Sequence, residues 1–190
     1  ALGGGLIVRH AAAADEIPAL ARALEVQAVF ANRDDEPEAL ARDAGVFGAL
    51  ANAGVSFHTH KDSTVFERDE LMTKTGQPYT VFTPYKRAWL AKVDDFFLKS
   101  YPSRGHADAL VAPPEGWRAP VPSLEALGFG KSNLGTLEIP TGTRGAAILF
   151  EDFFERIDRY EAARNYPAVR GPSYLGVHLR FGTVSIRHCL

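Results

Sequence analysis

The sequence predicts an α/β domain with a parallel sheet, then a long connection, then the opening of a helical domain. Two observations carry this. Between residues 6 and 59, short apolar runs alternate with amphipathic stretches in the order strand, helix, strand, helix, strand, the rhythm of βαβ units. After a proline- and glycine-rich stretch with little periodicity, the apolar spacing from Thr143 onward turns helical.

Each element has its own grounds. Leu6–His10 is an apolar run bounded by glycines and reads as a strand. Asp15 precedes Ile17, Leu20 and Leu24, which share one helical face, with Pro18 expected in the tolerant first turn. Val26–Phe30 is the next strand. A polar loop, Asn32–Pro37, leads into a second helix whose apolar face is expected at Leu40, Ala44, Phe47 and Leu50, with Gly54 as its C-terminal cap. Val55–Thr59 is the third strand. Residues 61–82 are irregular. Thr83-Pro84 then reads as cap and first turn of a helix carrying Tyr85, Trp89, Val93 and Phe96 on one face. Residues 101–142 form the connection, and a loop of that length joins domains or serves a function. Beyond it, Phe153, Phe154, Ile157 and Tyr160 are expected to share a core face, and 171–190 reads as a turn followed by another helix.

Length and composition bound the function. The chain has 190 residues, 46% hydrophobic and 23% charged, the make-up of a globular protein of one domain or one and part of another. That excludes a disordered polymer, a collagen-like fibre and a disulfide scaffold. The net charge of −2 leaves no overall basic excess, so any nucleic acid must be met by a local patch. Cys189 is the lone cysteine, which excludes an internal disulfide and a four-cysteine zinc site and fits a reducing, cytoplasmic setting. No apolar run approaches the roughly 18 residues of a membrane span, and no signal peptide is visible. The chain starts on Ala and enters an apolar run within six residues, and it stops on Val184–Leu190 without a polar tail, so we expect a piece of a longer protein.

Chemistry-bearing residues are sparse. His58 and His60 lie two apart on a strand and share one face, but no third ligand follows at a recognisable spacing, so no metal is assigned. Gly3–Gly5 precedes a strand instead of opening a helix, so it is not a dinucleotide fingerprint. No Gly-x-Ser-x-Gly elbow occurs. Arginines 144, 156, 159, 164 and 170 suggest either a basic helix face or an ordinary solvated one.

The stretch Tyr160-Glu-Ala-Ala-Arg-Asn-Tyr-Pro-Ala-Val-Arg-Gly-Pro-Ser-Tyr-Leu-Gly-Val-His-Leu-Arg-Phe-Gly-Thr-Val-Ser-Ile-Arg187 resembles the DNA photolyase/cryptochrome family. That family carries a Tyr, then Arg-Asp-x-Pro, Gly-Thr-Ser-x-Leu-Ser and Leu-x-x-Gly-x-x-Ser-x-Arg at this spacing. Leu6–His10, Val29–Pro37, Ala41–Asp43 and Pro78–Trp89 are similar, in order, to segments of its antenna domain. The resemblance implies a doubly wound parallel-sheet antenna domain at 1–100, lacking its first strand. It also implies an interdomain linker at 101–142 and the beginning of an all-helical FAD-binding domain at 143–190.

Position by position, the resemblance implies FAD contacts at Tyr160, Pro172, Ser173, Tyr174, Leu175 and Gly176. A turn entering a helix offers N–H groups and hydroxyls to a diphosphate. Pro172 and Gly176 stand where the family has hydroxyl residues, and each removes a donor. Arg164 matches an arginine that contacts the DNA backbone. For the antenna chromophore, Glu38 and Ala39 replace the Asn-Glu of folate-type members, and Asp34 fits a deazaflavin or flavin better than a folate. No catalytic residue falls in this stretch, and the chain alone is expected to hold no stable flavin. The implied activity is blue-light splitting of cyclobutane pyrimidine dimers in UV-damaged DNA by a monomeric flavoprotein. A cryptochrome photoreceptor and a flavin-free α/β remnant remain the alternatives.

Overall fold

A computed structural model describes residues 3–101 and 103–190; Ala1, Leu2 and Pro102 lie outside the described residues. The chain forms two compact units that interleave in sequence. One comprises Ala1–His60 with Tyr101–Gly135, the other Lys61–Ser100 with Thr136–Leu190. The 101–142 stretch is thus divided between the two units.

The first unit is of the α/β class. Helix α1 (Ala13–Ala23) has Asp15 and Glu16 in its first turn, where carboxylates favour the positive helix end. Strand β1 (Ala28–Asn32), helix α2 (Pro37–Asn52) and strand β2 (Ser56–His60) follow. β1 and β2 pair in parallel, with Ala28 opposite Ser56 and Asn32 opposite His60. Proline opens α2, where its missing N–H costs nothing. Gly54 ends it at φ +73°, the left-handed conformation that glycine adopts freely. The core is Ala21, Val46 and Leu50, with Ile17, Val26, Val29, Val55 and Phe57 packed against it.

Three expectations are corrected here. Leu6–His10 joins no ladder: among the described residues the sheet has two strands. The two glycines before it lie against a later part of the chain: a Cβ on Gly4 would meet Leu110 at 3.0 Å, and one on Gly5 would meet the Pro113 ring at 2.3 Å. Pro18 falls in the second turn of α1, because the helix begins at Ala13, and the bond to the Ala14 carbonyl is missing. The buried face of α2 is Ala39, Val46 and Leu50, not Leu40, Ala44 and Phe47, and Phe47 is 57% exposed. A shift of one residue turns the face by about 100°.

In the second unit, helix α3 (Phe82–Lys92) is capped by Val81, two residues before the expected Thr83 cap, and ends at Lys92. A separate turn, α4 (Asp95–Leu98), follows, with Asp94 accepting from the Phe96 and Phe97 N–H groups. The break rotates the aromatic stripe: Phe97, not Phe96, reaches the buried Phe66 (4.7 Å between centroids), and Trp89 meets Phe66 edge-on at 5.6 Å.

Around this cluster the Lys61 ammonium pairs with Glu70 at 2.6 Å, and Lys92 donates to the Glu70 carbonyl. Burial acts to raise the Glu70 pKa. The hydrogen bonds from Lys61 and the Glu67 N–H, with the charges of Lys61 and Lys92, outweigh it and hold the carboxyl below its ordinary value.

Helix α5 (Gly142–Phe154) buries Gly145, Ala146 and Leu149. The stripe expected at Phe154, Ile157 and Tyr160 is largely exposed instead. The helix stops because Arg156 leaves helical geometry (φ −126°, ψ 9°), and a 3-10 turn at Ile157–Arg159 and the short α6 (Tyr160–Ala163) follow. The last segment is a five-residue helix, α7 (Gly176–Arg180), and a 3-10 turn at Ile186–His188. Gly182, at φ +62°, turns the chain after α7, where a longer helix was expected. The Arg187 guanidinium donates to the carbonyls of Asp62 (3.2 Å) and Thr64 (3.1 Å), tying the end of the chain to the start of this unit.

Candidate functional site

In the second unit, one side chain organises the loop between α6 and α7. Arg156 Nη1 donates to the carbonyls of Arg170 (2.6 Å) and Gly171 (2.8 Å), and Nη2 donates to that of Pro172 (2.8 Å). Its Nε and Nη2 both lie 3.0 Å from Asp152 Oδ2, one helical turn earlier. The guanidinium is therefore saturated and largely buried, and three consecutive carbonyls that belong to no helix or strand gain donors. The same Asp152 oxygen takes Arg170 Nη2 at 3.1 Å. Gly171 is buried where a Cβ would stand 2.8 Å from the Ala163 carbonyl carbon, so the loop presses directly on the end of α6.

This clamp sets the conformation of 172–176. Ser173 Oγ accepts from the Leu175 N–H at 3.4 Å, and Tyr174 sits at φ +58°, a left-handed conformation that is costly for a tyrosine. Leu175 turns into the core. Tyr174 and Gly176 line a cleft of about 750 Å³, together with Arg170, Ile148 and Val177. That volume lies within the range of small-molecule sites, about 300–1,000 Å³.

The structure brings together only part of the expected constellation. Tyr174 and Gly176 line the cleft; Tyr160, Pro172, Ser173 and Leu175 do not. Tyr160 stands edge-on to Phe153 (5.8 Å), and the exposed Arg164 guanidinium lies over the Tyr160 ring at 5.8 Å. The arginines of 156–170 do not form one helix face, because the backbone is broken there: Arg156 turns inward while Arg170 faces solvent. With five residues, α7 has only a short dipole to offer an anion.

In the first unit, Asp34 Oδ1 accepts from the Glu36 N–H at 3.1 Å, closing the turn before α2. Glu38 is exposed and Ala39 is buried. His58 and His60 share the exposed sheet face with Phe30, whose ring stacks on theirs at 4.9 and 6.0 Å. Among the described residues, no three His, Cys, Asp or Glu side chains converge as metal ligands.

Sequence reasoning missed Asp152, Arg156 and Arg170 as a unit. The Asp152–Arg156 spacing of four was a readable helix pair; the clamp on residues 170–172 was not, because it depends on where the chain returns. It also missed His178, which is 3% exposed, with Nδ1 2.8 Å from Thr183 Oγ1 and Nε2 without a partner among the described residues.

The family profile described as DNA photolyase matches residues 1–106, more than half of the chain. The chain belongs to the DNA photolyase family. It is 36% identical over 188 residues to a protein of Halobacterium salinarum named deoxyribodipyrimidine photo-lyase, covering 98% of this chain and 38% of that one. Its fold matches the crystal structure of a class III photolyase from Agrobacterium tumefaciens with a TM-score of 0.82 at 24% identity, across 99% of this chain and 39% of that one. A Synechocystis cryptochrome matches with a TM-score of 0.73 at 18% identity, again over 99% of this chain and 39% of that chain. The photolyase-family chain thus spans about two fifths of the length of these proteins. Among its described residues, no helix is long and apolar enough to cross a membrane.

Proposed function

We propose that this chain is the part of a light-driven DNA-repair flavoprotein that holds an antenna domain and the first wall of the flavin site. The observation that carries the reading is the near-complete match of the chain to a protein named deoxyribodipyrimidine photo-lyase. The residues fit a flavin dinucleotide. A cleft of small-molecule size opens beside the 172–176 loop, with a guanidinium and a tyrosine in its lining.

In this reading Tyr174 and Gly176 meet the cofactor directly. Arg156 acts one layer back, fixing the 170–172 backbone so that the loop is formed before the ligand arrives. Tyr160 flanks the site, packed by Phe153, and Arg164 extends from Tyr160 towards solvent, where a DNA phosphate would be met. FAD, when bound, supplies the electron that splits a pyrimidine dimer; the protein's part is to hold and orient it. Asp34, in the turn before α2, and Glu38, in its first turn, are the residues proposed to border an antenna chromophore of the deazaflavin or flavin type. The cryptochrome reading rests on the fold shared with the Synechocystis protein.

The test joins residues 1–190 to the remaining residues of the Halobacterium salinarum photo-lyase and follows pyrimidine-dimer loss in damaged DNA. Loss under blue light and none in the dark supports repair. Bound flavin without dimer loss favours the photoreceptor, and neither flavin nor loss leaves the flavin-free remnant.

A further inference from the structure

Two guanidiniums share one carboxylate oxygen in this site, Arg156 and Arg170 on Asp152 Oδ2, so the group carries a surplus positive charge. Arg156 does not display it, because three backbone carbonyls and Asp152 take its donors and its side chain is only 14% exposed. Arg170 does. One of its nitrogens meets Asp152, its side chain is 61% exposed, and it lines the same cleft as Tyr174 and Gly176. The other charged residue of that lining is Glu138, an acceptor that repels phosphate and suits sugar hydroxyls. A ligand with a diphosphate, a polyhydroxyl linker and a planar ring has a matching partner for each part.

We infer that Arg170 is the anion-recognition residue of this cleft. It offers a dinucleotide diphosphate the donor that Gly176, in the same lining, has no side chain to supply. This rests on the flavin reading above for the identity of the ligand, not for the presence of the anion site. A guanidinium already oriented by a carboxylate offers its remaining N–H groups in a planar fork that matches phosphate oxygens. Asp152 fixes the arm while Arg156 fixes the backbone that carries it, so little ordering is left for the ligand to impose.

The experiment uses the 190-residue chain, labelled with nitrogen-15, and follows the amides of Tyr174 and Gly176 and the Arg170 Nε–H during titration, which registers weak, rapidly exchanging binding even where no flavin is stably held. The probes are FAD, ADP and adenosine. FAD and ADP are expected to shift these signals, and adenosine, which has no phosphate, to shift them at concentrations at least about 10-fold higher. Arg170→Gln is expected to weaken FAD and ADP about 10-fold or more, with Arg170→Lys recovering part of the loss. Raising the salt from about 0.05 to about 0.2 M should weaken binding to the native chain and leave the residual binding of Arg170→Gln nearly unchanged, a response that a purely structural role would not produce. FAD bound equally by Arg170→Gln and the native chain overturns the inference and spares the flavin reading. ADP bound through Arg170 with no response to FAD overturns the flavin reading and sustains the anion site. No response to either overturns both.

Discussion

The β1–α2–β2 segment and the stretch from Asp152 to Thr183 are held together by different physics. In the first, spacing decides: Val46 and Leu50 lie on one face of α2, Val29 and Phe57 lie on one face of the sheet, and burying them fixes the segment. In the second, regular structure is short and interrupted, and the backbone is held by side chains that reach across the chain. Arg156 grips residues 170–172, and Arg187 grips residues 62 and 64. Periodic burial makes a scaffold; long-range polar contacts make a loop of irregular shape that can serve a ligand.

Substitutions should separate the two regimes. Leu50→Ala removes a fully buried side chain from the α2 core and is expected to cost about 2–5 kcal/mol, seen as a lower denaturant midpoint. A cost below about 1 kcal/mol would mean that burial is not what fixes this segment. Arg156→Gln removes the guanidinium donors to three carbonyls, leaves Asp152 with Arg170 alone, and is expected to cost about 1–3 kcal/mol. That loss should be accompanied by faster protease cleavage between residues 164 and 175, which Leu50→Ala should not cause below its unfolding midpoint.

A smaller effect is expected at Glu70. Its pKa is lowered in the folded chain, so its contribution is present above the unfolded carboxylate value and is lost as pH falls through the folded one. Stability should therefore decline on the acid side, and Glu70→Gln should flatten that decline, at a cost near neutral pH of about 1 kcal/mol or less for a largely surface pair. An unchanged acid limb in Glu70→Gln would remove Glu70 from the account. The smallest effect concerns Cys189, whose pKa is raised by burial. Its alkylation at neutral pH should be slower than that of the same thiol in the unfolded chain, measured with a thiol reagent in the presence and absence of denaturant.

The same division explains what the sequence disclosed. The α/β rhythm, β1, α2, β2 and Gly54 follow from local spacing and a glycine cap, and they stand close to where the periodicity puts them. The face of α2 slipped by one residue because Leu40 and Phe47 are as apolar as Val46, and composition cannot choose between adjacent stripes. Leu6–His10 has the composition of a strand, but a ladder needs a partner, and among the described residues no strand pairs with it. At the site, the motif from Tyr160 to Arg187 singles out a loop of which Tyr174 and Gly176 line the cleft, while Tyr160, Pro172, Ser173 and Leu175 do not. What shapes that loop was hidden, since Arg156 and the 170–172 carbonyls are joined only by the folded path of the chain.

The central claim, that the 170–176 loop is shaped by the Arg156 clamp and not by the hydrophobic core, is tested most directly by amide hydrogen exchange in the native chain and in Arg156→Gln. The account predicts faster exchange at Gly171 and Leu175, with the amides of Val46 and Leu50 in α2 unchanged. Equal acceleration at both places, or none at either, would contradict it.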